Sequence, residues 1–287
     1  MPLVSVLMSV HNDAAFVGEA IDSVLEQTLG DLELIVVDDG STDTTPQVLD
    51  GYTDPRLKVV TNAQRLGLAA SLNAGLDLAQ GRYVARLDAD DVAVRTRLEQ
   101  QVAGLRDDIA IVGTAVVDLD ASGARERTHV MPHGARLLRW HSLFSSPFFH
   151  PTVLFDLEVL DAHGLRYDTA FVESEDYDLW TRLFEFANGD NLPEPLVLKR
   201  VHSGQASQRR GDIQRSLQRE VALREIARVA PEVDGELAWP VGARKRARLG
   251  ARREFLRLLR AFERKHGRDA DVRRAAFRAL ASPRRRA

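Results

Sequence analysis

Arg82-Tyr83-Val84-Ala85-Arg86-Leu87-Asp88-Ala89-Asp90-Asp91 is the stretch on which the reading of this 287-residue chain turns. Tyr83, Ala85 and Leu87 alternate with Arg82, Val84 and Arg86, the period-2 pattern of a pleated strand with a buried face. The run then closes on three carboxylates. Carboxylates form strands poorly and are costly to bury unpaired, so this end belongs where the chain meets solvent or a ligand. In an open α/β sheet that place is the carboxyl edge, where the ligand crevice lies. Extended backbone would send Asp88 and Asp90 to the same side, and two such oxygens call for a cation. With only carboxylate oxygen on offer, Mg2+ or Mn2+ suits the pair better than zinc. The plainer reading is a solvated acidic turn with Asp91 capping the next helix, and a lone Asp-x-Asp does not separate the two.

The flanks favour the ligand. Val4 to Val10 reads as a buried first strand, followed by a helix from Ala14 to Gln27 with Phe16, Ala20, Ile21, Val24 and Leu25 at helical spacing. Leu32 to Val37 is a second strand ending in Asp38-Asp39-Gly40-Ser41-Thr42-Asp43, and Thr44 to Leu49 a short helix. Leu57 to Val60, the loop Thr61 to Gly67 and a helix from Leu68 to Ala79 lead into the Arg82 strand. This alternation predicts βαβ units and a parallel sheet covered on both faces. Beyond a helix from Arg95 to Leu105 the rhythm loosens. Ile109 to Val112 is a strand, Ala115 to Val130 a hairpin turning at Ala121-Ser122-Gly123, and Val153 to Phe155 a strand. Val172 to Ala187 reads as helix, Leu196 to Val201 as a late strand, and everything from Ser207 onward as helical, including Ile213 to Val229 and Arg244 to His266.

Composition bounds the possibilities. Hydrophobic content of 44% and charged content of 28% are ordinary for a soluble globular protein. No apolar run is long enough to span a bilayer, and Met1-Pro2-Leu3-Val4 lacks the features of a signal peptide, so a cytosolic protein is expected. Without cysteine, disulfides and thiolate metal sites are excluded. From Val241 onward 17 Lys and Arg face 4 Asp and Glu, a balance of +13 that leaves −16 for the rest. A basic tail on an acidic body points to an anionic partner, although 35 Arg against 4 Lys is also what a skewed genomic base composition produces.

Neither a Gly-x-Gly-x-x-Gly after the first strand nor a Walker A lysine loop is present, which removes the dinucleotide-binding and P-loop readings. What the chain does carry, in order, is Val4 to Asp13, Ala20 to Thr28, Leu34-Ile35-Val36-Val37-Asp38-Asp39-Gly40-Ser41-Thr42-Asp43, Asn62 to Leu68, Leu87 to Asp91, His150-Pro151-Thr152-Val153, Glu175-Asp176-Tyr177-Asp178-Leu179-Trp180 and Arg200-Val201-His202. Together these resemble the family 2 inverting glycosyltransferases, of the kind that build bacterial cell-surface polysaccharides. The resemblance spans about residues 3 to 206.

The resemblance implies a GT-A fold: a Rossmann-like nucleotide-sugar half over residues 1–100, a mixed acceptor half over 101–206, and a basic helical region over 207–287. It implies that Asp39 holds the nucleoside, with His11 and Asn12 lining the base pocket and Arg65 on the donor side. Asp88 would lie near the ribose or diphosphate, and Asp90 would ligate the Mn2+ or Mg2+ that bridges the phosphates. Gln64 stands where the family often has a glycine, a departure that puts a backbone contact there in question. Asp176 would be the general base and Glu175 its orienting neighbour. Glu173, Glu175, Asp176 and Asp178 crowd one predicted helix start, where like charge and burial raise a pKa. His202 is a candidate third metal ligand, and His150 and Trp180 are placed on the acceptor side, Trp180 also reading as core.

For the tail, Leu249, Arg252, Arg253, Leu256, Leu259, Arg260 and Phe262 describe an amphipathic helix that either packs on the body or docks on an anionic membrane. The expected partners are a nucleoside-diphosphate sugar and a glycan or lipid-linked acceptor. Nucleic acid is not expected, because its binding motifs are missing and the body is acidic. Two other functions remain at this point: a sugar-nucleotide nucleotidyltransferase, which normally needs a Gly-rich basic loop where His11-Asn12-Asp13-Ala14-Ala15 stands, and a non-catalytic membrane-surface module.

Overall fold

The computed structural model describes residues 1–106, 108–120, 123–201, 211–243 and 250–281. Its first half is the predicted alternation: β1 (Val4–Val10), α1 (Val17–Leu25), β2 (Leu32–Asp38), α2 (Thr45–Asp50), β3 (Leu57–Thr61), α3 (Leu68–Leu76) and β4 (Tyr83–Arg86). These four strands are parallel and lie in the order β3-β2-β1-β4. The chain steps outward from β1 to β3 and then returns to the other side of β1. That reversal opens a crevice between the carboxyl ends of β1 and β4, the place where such sheets bind ligands.

Both faces of this sheet are covered. Val6, Met8, Leu34, Val36, Ala85 and Leu87 pack with Ala20, Ile21 and Val24 of α1. Leu7, Ile35, Val37 and Val84 face the other way, onto Leu72 and Leu76 of α3. Alternate residues of each strand therefore enter opposite cores, which is why β2 is aliphatic from Leu34 to Val37. Gly75 lets α3 lie close: a Cβ there would sit 2.0 Å from Leu7 Cδ1.

The second half is mixed. After β5 (Val92–Ala93) and α4 (Arg97–Gly104) come β6 (Ile109–Leu119), β7 (Arg125–His129), α5 (Ala135–His141), a 3-10 turn at His150–Thr152, β8 (Leu154–Asp156), α6 (Leu157–Ala162), α7 (Glu175–Leu183) and β9 (Asn188–Arg200). β8 joins β4 to β6 antiparallel, and β9 runs parallel to β6 and antiparallel to β5. The predicted helix over Val172 to Ala187 shrinks to α7. The predicted late strand at Leu196 instead begins at Asn188. Pro193 and Pro195 hid it, and the ladder accommodates them where its register shifts beside Ala115. The hairpin of β6 and β7 forms as expected, with Ala121 and Ser122 of its turn outside the described residues.

The C-terminal region is helical: α8 (Gly211–Val229), α9 (Gly235–Gly242), α10 (Ala251–His266) and α11 (Ala270–Ala281). It shares one core with the preceding fold. Trp140 of α5 meets Phe144, Phe255 and Phe262 edge-on at ring distances of 5.1, 5.5 and 5.2 Å. The apolar stripe of the amphipathic helix is thus occupied by protein, which overturns docking of that stripe on a membrane. Leu249 lies outside the described residues.

Each fully buried Phe or Leu is worth about 1.5–3 kcal/mol, against a total stability of about 5–15 kcal/mol. Deleting the chain from Val241 onward removes Phe255, Leu258, Leu259 and Phe262, all buried. Truncation there is expected to leave an insoluble or partly unfolded protein, read by soluble yield and near-UV circular dichroism. A soluble truncate with native dichroism would show the helices to be dispensable.

Candidate active site

The ends of β1 and β2 are laced together. His11 Nδ1 lies 2.9 Å from Asp39 O. Asn12, at a φ of 56°, accepts at its Oδ1 from Thr42 N (2.7 Å), and its own N–H donates to Ser41 Oγ (3.0 Å). Asn is among the few residues that tolerate this left-handed backbone. Asp39 is buried and accepts from Asn62 Nδ2 (2.9 Å), Leu66 N (2.7 Å) and Gly67 N (2.8 Å). Burial pushes its carboxyl up, but these donors outweigh it and hold the group below the usual range. Asp39 therefore organises the loop between β3 and α3. Gly40 makes this possible: at φ +67°, a Cβ would stand 2.9 Å from Arg65 N. The backbone of Gln64 keeps close contact with Gly40 without being glycine, and the Arg65 side chain is exposed at the loop's rim.

Beyond β4 the three aspartates gather, by a different device from the one the sequence implied. The strand ends at Arg86, and Asp91 N donates to Asp88 O (3.2 Å), closing a turn. That turn, not a pleat, brings Asp88, Asp90 and Asp91 together, with one carboxylate oxygen of each within 4.8 Å of the others. Asp91 is no helix cap. It is 1% exposed, one oxygen accepts from Arg200 N (2.9 Å), and the other is buried without a hydrogen-bond partner among the described residues. Burial, then the charges of Asp88 and Asp90, push its carboxyl well up. Asp88 is raised too, by burial first, although Arg86 opposes the shift. An orphaned carboxylate oxygen beside two others, each repelling the next, is what a divalent cation completes, so these residues fit Mg2+ or Mn2+. His202 lies outside the described residues.

Two arginines frame the turn. Arg86 is 3% exposed and ion-paired to Asp88, and its Nε and Nη1 have no hydrogen-bond partner among the described residues. Arg200 donates from Nε to Asp90 O (3.1 Å) and from Nη2 to Glu19 (2.6 Å), with its guanidinium 4.5 Å from the Phe16 ring centre.

α7 supplies the second acidic pair. Glu175 is 5% exposed, and burial followed by the neighbouring Asp176 charge pushes its carboxyl up to about 7. Asp176 is partly exposed, lies 3.2 Å from Ser146 Oγ, and is pushed up by burial to about 6. Asp178 does not join them: it is 1% exposed, with its oxygens taken by Arg182 and Arg224. Arg86 spans the two acidic groups, because its charge lowers the pKa of Asp88, Asp91, Glu175 and Asp176 alike.

His150 Nε2 lies 3.1 Å from Tyr167 OH. Burial, and then the Arg86 charge, push its pKa well below normal and keep it neutral. Trp180 is 0% exposed among Phe148, Phe155, Tyr167 and His150, so it is core and offers no acceptor surface. The face of α7 that carries Leu179, Trp180 and Leu183 is the one turned into the second core.

Residues 5–158 match the model described as Glycosyl transferase family 2. The chain belongs to that family. It is 36% identical over 214 residues to the Putative glycosyltransferase EpsE of Bacillus subtilis, covering 70% of this chain and 74% of that one. It is 34% identical over 212 residues to the O-antigen biosynthesis glycosyltransferase WbnJ of Escherichia coli, covering 71% and 81%. Among solved structures, S. aureus TarS 1-349 in complex with UDP-GlcNAc superposes with a TM-score of 0.63 at 18% identity, over 98% of this chain and 80% of that one. The mannosyltransferase PcManGT from Pyrobaculum calidifontis, in complex with GDP-Man and Mn2+, gives 0.58 at 22% identity, over 98% and 74%. The fold is GT-A, and the protein is a glycosyltransferase.

The family match ends inside α6, so it contains the motifs of the first sheet, the acidic turn and His150 to Val153, and not those of α7 and the end of β9. Asp91, Arg86, Arg200, Ser146 and Tyr167 were not among the site residues expected from the sequence. Arg86 carried the plainest signal: a charged residue between Ala85 and Leu87, in a strand whose faces are both covered, must be buried.

Proposed function

We propose that this glycosyltransferase moves a sugar from a nucleoside-diphosphate donor to an acceptor hydroxyl with inversion, in the assembly of a polysaccharide, lipopolysaccharide or other glycoconjugate. The carrying observation is the pair Glu175–Asp176, both with raised pKa, beside a separate trio of aspartates at the crevice edge. Inversion needs a single displacement, so one carboxylate must take the acceptor's proton while the diphosphate leaves on the opposite face of the sugar. Asp176 fills that role and Glu175 tunes it. The acceptor O–C1 bond forms, the C1–O bond to the diphosphate breaks, and the proton passes to Asp176. Asp88, Asp90 and Asp91 would hold Mg2+ or Mn2+, whose chemistry is to stabilise the charge developing on the leaving diphosphate. His11, Asn12, Asp39 and Arg65 build the nucleoside side, and His150 borders the acceptor. The neighbours' UDP-GlcNAc, GDP-Man and Mn2+ and the naming of WbnJ support this reading.

A thermal-shift screen of nucleoside diphosphates with and without Mn2+ identifies the base, because a ligand bound only by the folded state raises apparent stability. Release of the matching diphosphate from its sugar donor, dependent on acceptor, then tests transfer. A stabilised protein that releases pyrophosphate from a nucleoside triphosphate would be a nucleotidyltransferase instead.

The pair also sets a pH dependence. Asp176 accepts a proton only when ionised, and its carboxyl is raised to about 6 beside Glu175 at about 7. Turnover is therefore expected to fall as pH drops through 7 to 6, well above the ordinary carboxylate range, and to plateau above 7. A profile flat down to pH 5 would remove the pair from the chemistry.

The donor and acceptor halves extend over residues 1–206, and the helices that follow carry a basic face. Arg252, Arg253, Arg260, Arg264 and Lys265 are exposed on α10. This face supports a peripheral contact with an anionic membrane surface near a lipid-linked acceptor. Sedimentation with anionic vesicles should weaken steeply with added salt.

A further inference from the structure

α7 is held from two sides. Leu179, Trp180 and Leu183 sit in the core behind the sheet. On the opposite side Ser174, Tyr177, Asp178 and Thr181, spaced as one helical stripe, meet α8. Ser174 Oγ donates to Gln214 O (3.4 Å), and Tyr177 packs in one core with Val221 and Ala222. At the centre of the stripe Arg224 forks: Nη1 reaches Asp178 Oδ1 (2.6 Å) and Nη2 reaches Thr181 Oγ1 (2.8 Å). The other Asp178 oxygen is taken by Arg182 of its own helix, whose Nη2 also donates to Arg166 O (2.7 Å). The Arg224 guanidinium lies 5.8 Å from the Phe171 ring centre, on the segment leading into α7.

We infer that Arg224 is a positioning residue for catalysis: through Asp178 and Thr181 it fixes the roll of α7, and so the place of the Asp176 carboxylate. The C-terminal helices are then a working part of the transferase centre. This rests on Asp176 being the base. A carboxylate on a helix lies roughly 5–6 Å from the axis, so a roll of about 10° carries it about 1 Å. A displacement of that size costs on the order of 10²-fold when a group must meet a reacting atom. A bidentate guanidinium resists roll where one apolar contact does not, because both of its bonds are directional. Asp176 lies two residues from Asp178 and projects from the far side of the helix, so it gains nothing from the fork except position.

Arg224→Met, Arg224→Lys and Thr181→Val separate this role from simple stabilisation. Arg224→Met should lower kcat about 10-fold or more while leaving nucleoside-diphosphate affinity, measured with Mn2+, within about twofold. Arg224→Lys, which keeps the charge and loses the fork, should recover part of kcat. The pH limb of the remaining activity should stay where it is, because the base is the same group in a worse place. Thr181→Val breaks only one arm of the fork, and should lower kcat several-fold without lowering the melting temperature. It decides the matter should Arg224→Met fail to fold. Wild-type kcat in Arg224→Met, or in Thr181→Val, overturns the inference, as does a loss of donor affinity in step with kcat. Asp176→Asn in the same assays tells the two apart. If it is inactive while Arg224→Met is normal, only the positioning role falls; if it is active, the base assignment itself is wrong.

Discussion

Asp176→Asn is expected to lose about 10²-fold or more in turnover, the usual scale for a positioned general base. Asn keeps the shape of the side chain and its approach to Ser146, but it cannot take a proton. Donor affinity should hardly change, since the residue sits on α7 and not on the turn or loops that line the crevice. The same variant should be more stable than the parent. Burial raises the two carboxyls from 3.8 and 4.5 to about 6 and 7, so the folded state binds protons more tightly than the unfolded one between those values. Stability then falls as pH rises through that window, and the cost is fully present at pH 8. Removing one charge relieves it, and Asp176→Asn should melt a few degrees higher at pH 8 with little difference at pH 4. Glu175→Gln should keep most of the activity and move the pH limb downward, because the neighbouring charge that helps raise the pair is gone. Asp178→Asn behaves differently from both. It unpairs two guanidinium groups around a buried site, and breaking a buried ion pair typically costs about 3–5 kcal/mol. Its effect should show first as a lower melting temperature. Wild-type turnover in Asp176→Asn would show that another group takes the proton.

The first sheet was legible because each of its strands obeys one rule over its whole length. Leu34-Ile35-Val36-Val37 can only be a strand buried on both faces, and the carboxylates after it can only lie at its end. The second half obeyed no single rule. β9 contains Pro193 and Pro195, which locally read as breakers, and only pairing with β6 across a register shift makes it continuous. The acidic turn was legible as chemistry but not as geometry. Period-2 projection described Asp88 and Asp90, whereas the turn recruited Asp91, and its burial depends on Arg200 arriving from more than a hundred residues away. Trp180 and Asp178 make the same point. A short motif places five acidic and aromatic side chains near one another in sequence, but the helix period sends Trp180 into one core and Asp178 toward α8. The tail was left between two readings for a related reason: an amphipathic helix shows that one face must be covered, and not by what.

Asp90→Asn is expected to abolish most transfer, by about 10²-fold or more, while leaving the fold intact. The three carboxylates of the turn stand within reach of one ion, and Arg86 neutralises part of their charge through Asp88. Asp90 is partly exposed, whereas Asp91 is buried and Asp88 is ion-paired to the buried Arg86. Asp88→Asn leaves a buried guanidinium without its counter-charge and should lose stability as well as activity. Asp91→Asn can still accept from Arg200 N, but it replaces the orphaned oxygen or its partner with an amide, and should weaken metal binding almost as much as Asp90→Asn. Activity alone would not separate these cases, so the direct reading is Mn2+ affinity, by electron paramagnetic resonance of the free ion. A cation present at a hundred times its dissociation constant stabilises the fold by about 2.7 kcal/mol. For a chain of this size that is a rise of about 5–10 °C in melting temperature, present in the parent with nucleoside diphosphate and Mn2+ and lost in Asp90→Asn. EDTA should silence the parent, and Mn2+ should restore it. Full activity of Asp90→Asn in EDTA would mean that the turn binds no catalytic metal, and that Arg86 and the loop donors alone carry the charge of the leaving group.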